Sequence, residues 1–414
     1  MSRWPNKYVI GLTGNIATGK TVVRQMLQHL GAYTIDADSL THRAMAPGAP
    51  AYKPIIDTFG QFILDADKNI NRAALANIVF SHPEALAKLE AIIHPIVGQA
   101  IGVLVGRATQ QVVVIEAIKL LETMADAVDE VWVVDASPKT QYFRLVQGRK
   151  MSEEEARKRI TAQTPQADKL AKAAVVIKND GNVEETWKQV QQAWANVVTK
   201  LKPPPVQTAA PTPQPKPAAP AQPTPAASTP AAPATAAPTP APAPVAAGEK
   251  ISVRRGMPSN AEIIANFINK ATNKNVNRMD IMMAFGQKSY LLAQGPGDQV
   301  LALMGWQVEN LITRVDEFYV AEGVAPESVV EQMVAAVEDA SKELQSEVGF
   351  IFLPANAPPA VVQPFQKRGY ENTTIEQIKI PAWREAVQEM ISSGNNNVQI
   401  LSKKLREDRV LKPI

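Results

Sequence analysis

With 414 residues the chain exceeds one ordinary core, so two or three domains are expected. It has no cysteine, which excludes disulfides and thiolate metal sites and points to a reducing compartment. A net charge of +3 gives no electrostatic case for a nucleic-acid partner. The start, Met1-Ser2-Arg3-Trp4-Pro5, carries no signal-like apolar region. No apolar run approaches the roughly 20 residues that span a bilayer. The expectation is a soluble, cytoplasmic protein without a membrane partner, and its oligomeric state is not legible.

The first predicted strand is Tyr8–Thr13, and a glycine-rich turn follows it directly: Gly14, Asn15, Ile16, Ala17, Thr18, Gly19, Lys20, Thr21. This fits the phosphate-loop spacing G-x-x-x-x-G-K-[ST] between a strand and a helix, the helix opening at Val22. Glycines let backbone N–H groups turn inward around phosphate oxygens, and the helix presents its positive dipole end. Lys20 then reaches the outer phosphates, and the Thr21 hydroxyl sits on Mg²⁺. The alternative is a chance glycine-rich turn, which the surrounding strand and helix disfavour.

Further strands are predicted at Tyr33–Asp36, 111–117, Glu130–Asp135 and 174–178. Continuous runs such as Val112-Val113-Val114-Ile115 suit strands buried on both faces, hence a parallel sheet. Ligands bind beyond the carboxyl ends of such strands, which places Asp38 of Ile35-Asp36-Ala37-Asp38 beside the loop. There it is positioned to take an acceptor's proton; the competing role is a helix N-cap, and Asp36 is the candidate for it. Pro83–Arg107 reads as a helical stretch broken near Ile93 by His94-Pro95. Ser152 and Glu155 have capping-box spacing for another helix.

These pieces, taken together, resemble the dephospho-CoA kinase family over residues 7–200. The matching segments are the loop to Thr21, Ile35-Asp36-Ala37-Asp38, Pro47-Gly48, Asn71-Arg72-Ala73-Ala74-Leu75, Val79-Phe80-Ser81 and Ile92-Ile93-His94-Pro95. Later ones are Gln141-Tyr142-Phe143-Arg144-Leu145 with Arg149, Arg159-Ile160 with Gln163, and Ala173 through Asn179. The resemblance implies a P-loop kinase with a parallel five-stranded sheet, a helical acceptor-binding region and a lid. It implies transfer of phosphate from ATP to the ribose 3′-hydroxyl of dephospho-CoA, with Mg²⁺. By the same resemblance Asp38 is the base, and Lys20, Arg144 and Arg149 serve the phosphates. The loop residues through Val22 hold ATP, Asn179 approaches its adenine, and Arg72 and His94 belong to the acceptor side. Surface solvation competes as an explanation for Arg149, and a helix-end role for His94. Another small-acceptor kinase of the nucleoside monophosphate type remains the alternative activity.

Two departures stand out. Ala17 replaces a usual glycine and is strained if its φ is positive. Lys119 interrupts the family's Pro-Leu-Leu-x-Glu segment, where it adds a phosphate contact or points to solvent.

Of the 33 prolines, 16 lie between Pro203 and Pro244, interleaved with Ala, Thr and Gln. Nothing in 203–247 can build a core, so a disordered spacer is expected between a first domain, 1–202, and a second, 248–385. The two are expected to be tethered, with their relative geometry unspecified by the sequence. The second domain reads as a strand at Ile251–Arg255, a capped helix, and strands at Ser289–Gln294, 299–308 and 314–320. A helix then follows with Val330, Met333, Val334, Val337, Ser341 and Leu344 on its core face, before a strand at 349–353. This order resembles the GCN5-related N-acetyltransferase fold over residues 251–380, with Asn356, Phe365, Gly369 and Tyr370 echoing its closing motif. The family's Gly-rich pyrophosphate loop is reduced here to Gly323-Val324-Ala325-Pro326-Glu327-Ser328, and Phe365 stands where a tyrosine acid is common. A degenerate acyltransferase fold used for binding or assembly is expected; a sensor of CoA or acyl-CoA that regulates the first domain is the alternative. Residues 386–414 are expected to form a tail, with a flexible loop at Gly394–Asn397 and a solvated basic helix around Lys403-Lys404-Leu405-Arg406.

Overall fold

The computed structural model describes residues 4–201, 251–392, 397–408 and 410. The spacer expected over 203–247 lies outside the described residues, as does most of the loop expected at Gly394–Asn397. The first domain runs β1 (Tyr8–Thr13), α1 (Lys20–His29), β2 (Tyr33–Asp36), α2 (Ala37–Ala44), α3 (Tyr52–Phe59), α4 (Arg72–Ser81) and α5 (Pro83–Arg107). It continues through β3 (Val112–Glu116), α6 (Leu120–Thr123), β4 (Glu130–Asp135), α7 (Pro138–Phe143), α8 (Glu153–Thr161), α9 (Gln166–Ala171), β5 (Val175–Lys178) and α10 (Val183–Lys200). The strands lie in the order β2-β3-β1-β4-β5, every pair parallel. Val9, Ile10, Leu12, Val113, Val114 and Ile115 are fully buried, as continuous apolar runs in a sheet covered on both faces require. From adjacent β1 and β3 the chain crosses to opposite sides, so a crevice opens at their carboxyl ends.

The second domain runs β6 (Ser252–Arg255), α11 (Ala261–Thr272), α12 (Arg278–Ala284), β7 (Ser289–Gln294), β8 (Val300–Glu309), β9 (Ile312–Val320) and α13 (Pro326–Glu343). Then come β10 (Val348–Pro354), α14 (Pro359–Lys367), β11 (Glu371–Thr373), α15 (Pro381–Ser392) and β12 (Val398–Lys404). Its seven strands lie in the order β11-β12-β10-β9-β8-β7-β6. Only β9 and β10 pair in parallel among them. The apolar stripe of α13 is buried as its spacing predicts: Val330, Met333, Val334 and Val337 are inaccessible, and Ser341 and Leu344 nearly so.

Three expectations are corrected. The region expected to hold a solvated basic helix holds β12, which pairs antiparallel with both β10 and β11. Ile400 and Leu401 are buried in it, and the Lys403 ammonium sits 2.7 Å from buried Glu338. The break near Ile93 does not occur: α5 continues through Pro95. Proline removes the hydrogen bond to the carbonyl of Ala91, and both residues face outward, where water can satisfy that oxygen. By length and composition α5 is also apolar enough to cross a bilayer, contrary to the reading of the runs, although Ile93, Val97, Ile101 and Leu104 face the core.

The arrangement of the two domains, which the sequence leaves unspecified, is set by direct contacts. The two domains are packed together. Arg43 of α2 donates to the Asn310 carbonyl (2.6 Å) and to the Glu347 carboxylate (2.8 Å), with both charged side chains buried. Gln345 donates to the Leu104 carbonyl at 2.9 Å. At the end of α1, His29 Nε2 lies 3.0 Å from the Phe285 carbonyl, and its ring meets Phe285 edge-on.

Candidate active site

The loop between β1 and α1 has the backbone its glycines permit. Gly19 has φ +97°, and a Cβ there would lie 2.0 Å from Asn179 Nδ2. A Cβ on Gly14 would lie 2.4 Å from the Val134 carbonyl. Ala17 has φ +58°, so the departure from glycine does place an alanine in the left-handed region. Asn15 is buried, and its carbonyl accepts from the Thr18 hydroxyl (2.9 Å) and from Lys20 Nζ (3.3 Å). Burial, the largest cause, pulls the Lys20 ammonium below its ordinary range, while Glu116 and Asp38 oppose that shift. The side chain of Val22 turns away from the loop toward Gly286 of the second domain.

Two carboxylates at the end of β2 divide the roles. Asp36 caps α2, accepting from the Ser39 amide at 2.9 Å. Asp38, in the first turn, is left facing the crevice and, among the described residues, accepts a single long bond from the Ile118 amide, 3.3 Å. Burial, followed by the like charge of Asp36, raises its carboxyl above the usual range; Lys20 and the Ile118 bond pull the other way. The crevice thus holds a carboxylate of heightened proton affinity close to a buried ammonium.

Arg144 opens a π-helical turn, Arg144–Gly148, after α7. Its guanidinium donates to the carbonyls of Ala17 and Thr18 (3.1 Å each) and of Asn179 (2.7 Å). Asn179 in turn donates to the Thr18 carbonyl and accepts from the Thr186 hydroxyl, 2.8 Å each. Both side chains therefore clamp the loop's shape. Arg149 is exposed, yet close enough to Lys20 to act on its charge. The lid side supplies Gln163 and Gln166, whose side-chain oxygens accept from the Ile16 amide (2.6 Å) and the Asn15 amide (3.2 Å). These are loop donors of the kind that cradle phosphate oxygens.

A family model for dephospho-CoA kinase matches residues 8–185. The dephospho-CoA kinase of Streptomyces avermitilis is 41% identical over 197 residues, which cover 96% of that protein and 47% of this chain. That of Geobacter metallireducens is 42% identical over 196 residues, covering 98% of it and 46% of this chain. The chain belongs to the dephospho-CoA kinase family. Over its C-terminal region the fold is similar to the ribosomal-protein-S18-alanine N-acetyltransferase of Escherichia coli, at 10% identity and a TM-score of 0.31, covering 39% of this chain and 97% of that one.

Of the remaining residues that the family resemblance singled out, Arg72 starts α4 and is exposed, 3.8 Å from Glu385 of the second domain. His94 is exposed on α5. Lys119 pairs with Glu90 of α5 at 2.8 Å, so it is tied to a helix in this family member rather than pointing freely to solvent. Two residues near the phosphate loop were not singled out by sequence. Glu116, at the buried end of β3, pairs with Arg24 at 2.7 Å and accepts from the Thr21 hydroxyl at 3.4 Å. A lone acid ending an apolar run was its visible signal. Lys169, 2% exposed, donates to the Ile118 carbonyl at 3.1 Å and acts on both Asp38 and Lys20. It sits among charges that read as a solvated helix, so sequence held no signal for it.

The residues present suit a hard divalent cation. Mg²⁺ keeps several waters and takes one or two protein oxygens beside phosphate oxygens. The Thr21 hydroxyl and the Glu116 carboxylate would supply those, and the described residues hold no cluster of three or more acid, histidine or cysteine ligands.

Proposed function

We propose that the first domain transfers the γ-phosphoryl group of ATP to the ribose 3′-hydroxyl of dephospho-CoA, giving CoA and ADP. The observation that carries this reading is Asp38, a carboxylate of raised proton affinity facing the phosphate-loop crevice, in a chain of this family. Asp38 accepts the hydroxyl proton as the oxygen attacks the γ-phosphorus, and the bond to the bridging oxygen of ADP breaks. Lys20 faces the transferred group, and Arg149 reaches in from the lid. Arg144 and Asn179 hold the loop in its binding shape, with Asn179 placed to meet the adenine. Arg72 and His94 serve the acceptor side. Thr21, with Glu116, would hold Mg²⁺, which would neutralise charge on the phosphates. ATP binding exchanges the Gln163 and Gln166 oxygens for phosphate oxygens at the loop amides. The domain limits 1–202 and 203–247 and a cytoplasmic location go with this reading, whereas the second domain runs past 385 through α15 to β12.

The test is production of ADP by the full chain with dephospho-CoA and with a panel of nucleoside monophosphates. Turnover that needs dephospho-CoA supports the reading. Equal or better turnover with a monophosphate replaces it with the alternative kinase activity.

For the second domain we infer a binding or assembly role without acetyl transfer. Phe365 is fully buried, packed edge-on against Phe318 and Tyr370, and has no proton to donate. α13 opens with Pro326, which lacks an N–H, and Glu327, which repels pyrophosphate. Acetyl-CoA consumption by the full chain across a set of amines would overturn this.

A further inference from the structure

A cleft of about 1480 Å³ lies between the two domains. On the kinase side it is lined by Ser39 and His42 of α2 and by Asn71 and Arg72 at the start of α4. It therefore begins one residue beyond Asp38. The opposite wall belongs to the second domain and is built mainly by α15. We propose that α15 completes the acceptor site, receiving the uncharged, amide-bearing arm of dephospho-CoA. This rests on the kinase reading above and adds where the far end of the acceptor lies.

The distribution of charge separates the two ends of the cleft. A pyrophosphate needs cations whose donors are available. On the second-domain side Arg314 is held by Glu309 and lies 3.6 Å from Glu389. The Arg384 guanidinium donates twice to the Ile378 carbonyl, at 3.1 and 2.8 Å. Arg72 differs. Its contact with Glu385 is 3.8 Å long between two exposed side chains, a pairing worth little in water. Arg72 can exchange Glu385 for a phosphate at small cost, which puts the acceptor's pyrophosphate at the kinase edge.

Beyond it α15 presents Pro381, Ala382, Ala386 and Gln388, with Glu385 and Glu389 beside them. The small apolar groups and the amide complement a chain of methyl, methylene and amide groups, and the two carboxylates disfavour a second phosphate there. The size agrees as well. Small-ligand pockets run to about 300–1,000 Å³, so this cleft has room for a group extending well past a nucleotide.

The test uses the full chain and two acceptors: dephospho-CoA, and the methyl ester of adenosine 5′-diphosphate, which ends where the arm begins. Gln388→Trp places a large ring in the cleft from an exposed position. It is expected to lower kcat/KM for dephospho-CoA about tenfold relative to the methyl ester, through KM. Equal losses for the two acceptors, or no loss for either, overturn the proposal while leaving the kinase reading intact. A wild-type chain without turnover of dephospho-CoA sinks the kinase reading itself and the proposal with it. Hydrogen exchange on the wild-type chain gives an answer that does not depend on the variant folding. Dephospho-CoA should slow exchange in 381–392 more than the methyl ester does, and equal protection overturns the proposal.

Discussion

Asp38 lies two residues beyond Asp36 and is set apart from it by its surroundings. Asp36 is committed to the Ser39 amide, whereas Asp38 is half-buried with one long bond among the described residues and a like charge nearby. A base must be ionised to accept a proton, so a raised carboxyl pKa places an acidic limb above the ordinary carboxylate range. kcat/KM then falls as pH falls through it. Asp38→Asn should reduce kcat by about 10²–10⁴-fold while ATP still binds, measured by calorimetry beside turnover. Full activity in that variant assigns the base elsewhere. Asp36→Asn is the finer probe. Asparagine caps a helix about as well as aspartate, so α2 keeps its start while the like charge is lost. The acidic limb of the pH profile should move to lower pH, and an unmoved limb would show that Asp38 does not set it. Ala17 offers a stability test of the loop. A non-glycine residue at φ +58° costs roughly 1–2 kcal/mol. Ala17→Gly should therefore raise the urea midpoint, by an amount equivalent to about 1 kcal/mol or less after glycine's greater unfolded-state entropy is set against it.

Elements carry these residues, and the buried pair between α1 and β3 shows how firmly. Arg24 and Glu116 are each about 6% exposed and 2.7 Å apart, directly beneath the Thr21 hydroxyl. Glu116→Gln leaves a buried guanidinium without its counter-charge, which costs about 3–5 kcal/mol. The double variant Arg24→Met with Glu116→Leu should recover much of that stability in urea unfolding, though not Thr21's partner. If the single variant is as stable as the wild type, the pair does not hold α1 against the sheet. The legibility of the elements follows the same physics. β1, β2, β4 and β7 were readable to the residue because each is a short β-prone segment bounded by turn or helix-capping residues, and α13 because its stripe keeps helical spacing. β12 was not readable: its lysines look solvated until Glu338 on α13, far away in sequence, is placed opposite Lys403. Nor was the continuity of α5, since only the outward orientation of Pro95 makes the lost hydrogen bond tolerable. In the site, the loop spacing and Asp38 stood in the sequence, whereas Lys169 gains its place from α9 folding back over Ile118.

At the scale of the whole molecule, α1 links the phosphate loop at Lys20 to the domain interface at His29. Burial, the largest cause, pushes the His29 imidazole from 6.5 down to about 4, outweighing the carbonyl contact with Phe285. The folded chain then binds fewer protons than the unfolded chain between those values. This contribution is whole above pH 6.5 and falls away as pH drops toward 4, by about 3 kcal/mol at most. His29→Gln should flatten the slope of stability against pH in that window; an unchanged slope would place the titrating group elsewhere. The interface also decides what a chain ending at Lys202 should do. The first half of this chain matches the curated relatives over 96–98% of their length. Removing that domain, however, strips the cover from His29, leaves the Leu104 carbonyl without the Gln345 donor, and takes Glu347 from buried Arg43. It also removes α15 from the cleft. The truncated chain should keep ATP turnover with dephospho-CoA, melt several degrees lower, and show a higher KM for dephospho-CoA with little change in KM for ATP. Loss of kcat at unchanged KM would instead make the second domain part of the catalytic machinery, acting along α1 on the loop.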